Sequence, residues 1–160
     1  MQALRGPEAE RLVPHFERYM ALSTATANND FEGASKMLGE LQRTEPEILY
    51  FPLLRLALDR GQNEWLAKVI ETSLSKVTDP SDPFGIFAHY FLGRAEEALG
   101  RPQEALAAYR EFLRWWKDGD AQIAEIADAR LRVDNLEKAC AEKKLADCEA
   151  SADTEAKHPT

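Results

Sequence analysis

Few side chains in this sequence are suited to metal binding or nucleophilic chemistry. They are three histidines, His15, His89 and His158, and two cysteines, Cys140 and Cys148. Zinc sites gather Cys and His at short, defined spacings. None of the three histidines has such a partner, so neither a metal nor a cofactor is expected. There is no Gly-rich phosphate loop, no serine between elbow glycines and no His-Glu metal motif. The run Asp118–Asp120 reads as a helix stop followed by an N-cap rather than a cation loop, because an EF-hand needs about twelve residues ending in Glu. His89 has the chemistry of a general base, yet its place beside Tyr90 in a helical stripe fits a packing role better. No set of residues supports catalysis, and the expectation is that the chain is not an enzyme.

Composition narrows the alternatives. A chain of 160 residues suits one domain, and 44% hydrophobic with 30% charged residues is an ordinary globular balance. The net charge of −8 argues against a nucleic-acid partner, since phosphate binding needs a surplus of Lys and Arg. The most apolar stretch, Ile48 to Leu58, is broken by Pro52 and Arg55. It falls short of the roughly 18 apolar residues that span a bilayer. Arg5 is followed by Pro7, Glu8, Glu10 and Arg11 rather than the apolar run of a secretory leader. These features point to a cytoplasmic protein with no membrane contact. On one continuous helix Cys140 and Cys148 would be separated by a rise of about 12 Å. A disulfide tolerates roughly 7 Å between Cα atoms, so a bridge would require the chain to turn back after Leu145. Two free thiols in a reducing compartment are the expectation.

The elements that would position any site are helical and repetitive. Phe87, Phe91, Leu92, Ala95 and Leu99 recur at three and four, the helical period. Gly100 then ends that helix, and Pro102 and Glu104 open the next. Ala105, Tyr109, Phe112 and Trp116 form the second stripe. The same logic gives a helix over 31–41 with Ala34, Leu38 and Leu41 inward. It gives another over 65–74 with Leu66, Ile70 and Leu74 inward. Turns fall at Asn29–Asp30, Gly61–Gln62 and Gly100–Arg101, at intervals of 32 and 39 residues. The longer interval holds Thr78 to Gly85, a stretch written in turn residues. After Asp120, the stripe Ile123, Ile126, Ala129, Val133, Leu136 and Cys140 suits a helix that caps a stack of repeats.

The run "AHYFLGRAEEALGRPQEALAAYREFLRWW" resembles a tetratricopeptide repeat, whose period is about 34 residues. Leu92-Gly93, Gly100, Ala105, Tyr109 and Phe112-Leu113 fill the family's characteristic slots, while Glu96 stands where an aromatic is common and Lys117 where Pro often closes the repeat. A first repeat matches through Leu22, Asp30-Phe31, Ala34, Leu38, Leu41 and Pro46. A second matches more weakly through Leu53-Leu54, Ala57, Gly61, Leu66-Ala67 and Ile70. The resemblance implies an all-α, right-handed solenoid of three helix pairs with a C-terminal capping helix. Residues 1–14 lead in, repeats occupy about 15–46, 47–80 and 86–119, the cap occupies 120–148, and 149–160 form a disordered tail. The third repeat is also similar to repeats at the C-terminal end of bacterial signalling proteins, including Ser/Thr kinases and transcriptional regulators. That similarity implies a docking or sensor part of a larger protein.

In this family the first helix of each repeat lines a concave groove that holds a peptide or a partner helix. By resemblance the groove positions are Phe16, Tyr19 and Ser23, then Ile48, Phe51, Arg55 and Asp59, then Phe87, Tyr90, Arg94 and Glu97. Two readings of them stand side by side. Either the aromatics form a greasy floor and Arg55 and Arg94 fork a carboxylate of an acidic or apolar segment, or the aromatics pack between helices and the arginines are solvated. Trp116 continues a core stripe, whereas Trp65 and Trp115 lie off it and mark either an interface or packing under a loop. The implied function is protein–protein interaction, with self-association as a structural scaffold as the alternative.

Overall fold

The structure is a computed structural model describing residues 7–79, 82–116 and 123–142, with side chains from residue 14 onward except residue 15. Among these residues there are seven helices and no strand: α1 (Pro7–Ala27), α2 (Phe31–Leu41), α3 (Phe51–Asp59), α4 (Asn63–Leu74), α5 (Pro83–Ala98), α6 (Pro102–Trp115) and α7 (Ala124–Ala141). The protein is all-α. No described helix is long and apolar enough to cross a membrane.

The three turns joining α1–α2, α3–α4 and α5–α6 are built alike. Each places one residue in the left-handed region: Asn29 at φ 58°, Gly61 at 67° and Gly100 at 73°. The following N–H reaches back five residues, Asp30 to Ala25, Gln62 to Ala57 and Arg101 to Glu96. The left-handed residue's own N–H bonds three back, to Thr26, Leu58 and Glu97 respectively. This pair of bonds satisfies helix-end carbonyls that would otherwise lack partners. Spacing in the sequence located these turns. Neighbouring turns are also joined: Arg60 Nη2 donates to the Asn29 carbonyl at 2.6 Å, and Arg101 Nη2 meets Glu64 Oε1 at 2.8 Å.

Two expectations need adjustment at helix ends. The turn-rich stretch Thr78–Gly85 is not loop throughout, because α5 begins at Pro83. Asp82 caps it by accepting from the Gly85 N–H at 3.0 Å, and a proline is well placed at the first helical position. At the other end, Cys140 is disulfide-bonded, which corrects the expectation of two free thiols. The expectation assumed a helix continuing through Cys148. However, α7 ends at Ala141, so helical rise does not hold Cys140 at a distance from residues beyond that point. Asp118, Asp120, Cys148, His158 and the expected tail 149–160 lie outside the described residues.

Each helix packs on its neighbours in sequence, and α1 also touches α3, as α3 touches α5. The core therefore falls into two clusters that share α3. Leu53 and Leu56 face one with Leu22, Leu38 and Leu41, while Leu54 and Ala57 face the other with Leu66, Ile70 and Tyr109. A nine-residue helix buried on two sides has little surface left. Its two charged residues within that span, Arg55 and Asp59, occupy that surface and are exposed. The α7 stripe packs as its spacing implied: Ile126, Ala129 and Leu136 are buried, and Ile123, Val133 and Cys140 rest against the same core.

Close packing is tightest between α5 and α6. A Cβ on Gly93 would lie 2.6 Å from two ring carbons of Tyr109, itself fully buried. The Leu-Gly pair thus lets an aromatic ring lie directly on the α5 backbone.

Glu96 is a charged residue at a buried position of α5. Only 3% of it is exposed, and its carboxylate is held by Arg101 Nη1 at 3.2 Å. Burial pushes the Glu96 carboxyl above the usual carboxylate range, and Arg101 offsets only part of this. A raised folded-state pKa means the native state holds the proton more tightly than the unfolded chain. Stability from this group is then fully present in acid and is lost as pH rises through the raised value. Relative to Glu96→Gln, the wild-type chain should lose stability as pH rises above the ordinary carboxylate range and through the raised value. Denaturant midpoints of the two proteins across that range check this, and a constant difference would refute it.

Candidate functional site

The first helices of the pairs, α1, α3 and α5, carry the residues assigned to the groove, and the structure treats the three sets differently. On α1, Phe16, Tyr19 and Ser23 follow helical spacing and so share one face. Phe16 is 63% and Tyr19 38% exposed, and Ser23 is partly buried. The Tyr19 ring meets Tyr50 edge-on with centroids 5.4 Å apart. On and before α3, Ile48 and Phe51 pack toward the core, whereas Arg55 and Asp59 stand in solvent. Phe51 stacks on Phe84 and Phe91, each at 5.8 Å, and Phe84 is 62% exposed.

On α5 the corresponding residues are already occupied. Phe87 packs edge-on against Phe112 and Trp116, both at 5.6 Å. Tyr90 is 3% exposed, and its hydroxyl donates to Asp128 Oδ2 of α7 at 2.8 Å. Arg94 Nη1 donates to the Tyr90 oxygen at 3.0 Å and lies 3.5 Å from Asp128 Oδ2. Arg132 of α7 joins Asp128 and Glu97, through Nε at 2.7 Å and Nη1 at 2.8 Å. Tyr109 of α6 donates to the same Glu97 oxygen at 2.8 Å. Two guanidiniums thus neutralise two carboxylates, with two tyrosine hydroxyls closing the network. Because Asp128 meets Tyr90 and Arg132 meets Glu97, α7 runs alongside α5 in the same direction.

The electrostatics follow from these contacts. Burial works against ionisation of Asp128, but hydrogen bonds from Arg132 and Tyr90 prevail and hold its carboxyl below the usual range. Burial, then the Glu97 hydrogen bond, push the Tyr109 hydroxyl far above the ordinary phenol range. His89 is partly buried, and that burial lowers its pKa despite the opposing charge of Glu111. An imidazole held neutral between packed helices is consistent with a packing role. No cluster of three or more potential metal ligands occurs among the described residues.

Two shallow clefts lie along this face and share Asp59. One, of about 370 Å³, is lined by Ser23, Thr26 and Ala27 of α1 and by Tyr50, Arg55 and Asp59 at α3. The other, of about 360 Å³, is lined by Asp59 and Asn63, by Arg94 and Glu97 of α5, and by Arg132 of α7. Neither Arg55 nor Asp59 forms a side-chain hydrogen bond or ion pair with a described residue. Asp128 and Arg132 are the residues that spacing missed. Both are charges off the α7 stripe, and their partners lie more than thirty positions away.

The tryptophans divide as well. Trp65 is partly buried, edge-on to Phe31 at 5.0 Å, and Trp116 packs in the core. Trp115 is exposed at the end of α6, with the Arg114 guanidinium 4.8 Å from its ring centroid and its indole N–H donated to Glu111 at 3.2 Å. Set against protein-family models, curated proteins and solved structures, the chain matches none of them.

Proposed function

We propose that this chain is a tetratricopeptide-type α-solenoid whose task is protein–protein interaction through the α1–α3 end of its inner face. The observation carrying this reading is the contrast along that face. Phe16 and Tyr19 are exposed on α1, and Arg55 and Asp59 are exposed on α3 with no ion-pair partner among the described residues, while Tyr90, Arg94 and Glu97 of α5 are engaged by α7. Large apolar side chains next to unsatisfied charges are what a partner segment can bury and pair. The stacked, identically built turns support the repeat reading. The cover supplied by α7, with its polar outer residues Arg130, Asp134 and Lys138, supports the role of a cap. The same reading makes the chain a docking part of a larger signalling assembly.

The test compares affinity capture from the native cell extract by wild type, by Phe16→Ser/Tyr19→Ser and by Lys68→Glu on a different helix face. A partner retained by wild type and Lys68→Glu but lost with the double variant is the expected outcome. Identical capture by all three would refute the assignment of this face. Light scattering over a concentration series reads self-association separately.

A further inference from the structure

Cys140 is disulfide-bonded, and the chain has no free cysteine. The sequence contains two cysteines, Cys140 and Cys148, eight positions apart. An even number with no thiol left over is the pattern of a structural bridge. The bond stands where α7 is otherwise weakly held. Nearer its start, Ile126 and Ala129 are buried, and Asp128 and Arg132 join the polar network with α5. Past Leu136 the hold weakens. Glu137, Lys138, Ala141 and Glu142 are exposed, and the 2.8 Å ion pair of Glu137 with Arg110 lies in solvent, where such a pair contributes little. Among the described residues past Leu136, Cys140 is the one that rests against the apolar core.

We infer that Cys140 is bonded to Cys148 as a structural staple on the end of α7, and that the chain works in an oxidising compartment outside the cytoplasm. The bond closes a loop of nine residues. Such a cross-link limits unravelling of the last helical turn and removes freedom from the unfolded chain. Disulfides form and persist in oxidising surroundings and are rare in cytosolic proteins, so the bond departs from the cytoplasmic expectation. Its formation needs an oxidant, a protein of the thiol–disulfide oxidoreductase class. One cysteine thiolate attacks the oxidant's disulfide, forming a mixed disulfide and expelling a thiolate. The second cysteine then displaces the oxidant's other sulfur. The two thiols lose two electrons and two protons, and the oxidant leaves as a dithiol. The inference is independent of the interaction reading above, and either can fail without the other.

The test starts from the native cells. Acid quenching followed by alkylation with N-ethylmaleimide traps the thiols as they stand, and intact-mass spectrometry then counts the labels on the full chain. The expected result is no label at the monomer's mass before reduction and two labels after dithiothreitol, on protein recovered from the fraction outside the cytoplasm. Two labels before reduction overturn both the bond and the compartment. One label, or a disulfide-linked dimer, overturns the pairing of Cys140 with Cys148. Bonded and reduced forms that interchange with the redox state of the cytosol overturn the compartment and make the bond a switch. For the purified chain, dithiothreitol should lower Tm by roughly 5–10 °C and speed amide exchange in the last turn of α7. Neither effect should appear in Cys148→Ser. Equal melts of oxidised and reduced wild type would overturn the role as a staple, and that comparison stands even if the variant fails to fold.

Discussion

Gly93→Ala should destabilise the protein by about 2–3 kcal/mol, as overpacking of a filled core does. For a chain of this size that is a fall in Tm of roughly 5–10 °C. The added Cβ would sit 2.6 Å from Cδ1 and Cε1 of Tyr109, and neither side can yield easily. The backbone at Gly93 is mid-helix in α5. The Tyr109 ring is fully buried, and its hydroxyl is anchored on Glu97. Relief by rotating the ring would break that bond and disturb the network that holds α7. A double-mutant cycle isolates the cause: with Tyr109→Leu the ring is gone, so the combined loss should be smaller than the sum of the two single losses. Additive losses would show that the Tyr109 contact does not set the cost, since helix propensity by itself favours Ala over Gly by about 1 kcal/mol. Thermal melts of the four proteins check this.

Arg132→Ala should cost about 2 kcal/mol, between the values for exposed and for fully buried ion pairs. The substitution removes donors from Asp128 and Glu97 together, leaving Arg94 and the two tyrosine hydroxyls to face both carboxylates. The loss should concentrate in α7, whose amide hydrogens should exchange faster than those of α2 and α4. The pH dependence has a definite sign. Asp128 has a lowered carboxyl pKa, so its contribution is fully present above about pH 4 and is lost as pH falls through the folded value. Arg132→Ala removes the first partner opposing protonation and should therefore reduce this acid-side loss. Unchanged exchange in α7 would mean that apolar contacts of Ile126, Ala129 and Leu136 hold that helix alone.

The contrast between Arg55 and Arg94 shows how far local pattern reaches. Both occupy the same register on neighbouring first helices, and by spacing alone they are equivalent. Arg55 remains in solvent because α3 buries its other faces in two apolar clusters, and it forms no ion pair with a described residue. Arg94 is engaged because α7 brings Asp128 to it. Glu96 illustrates the same limit. As a charged residue it fits a solvated face, yet packing of α5 on its neighbours leaves it 3% exposed, with Arg101 across the turn as its partner. Tyr90 and Phe87 likewise belong to the interior more than to a groove floor, since aromatics at helical spacing meet whichever helix arrives beside them.

The sequence alone determined the inward stripes of α2, α4, α5, α6 and α7 and the places of the three turns, because apolar periodicity, turn residues at helix ends and Pro at a first turn act over a few neighbouring residues. Only the tertiary structure decided which charges on the shared face are spent and which are free. That depends on residues more than thirty positions apart meeting within hydrogen-bonding distance, as Asp128 meets Tyr90 and Arg132 meets Glu97. Electrostatic pairing is a property of distance in space, and no local spacing rule encodes it.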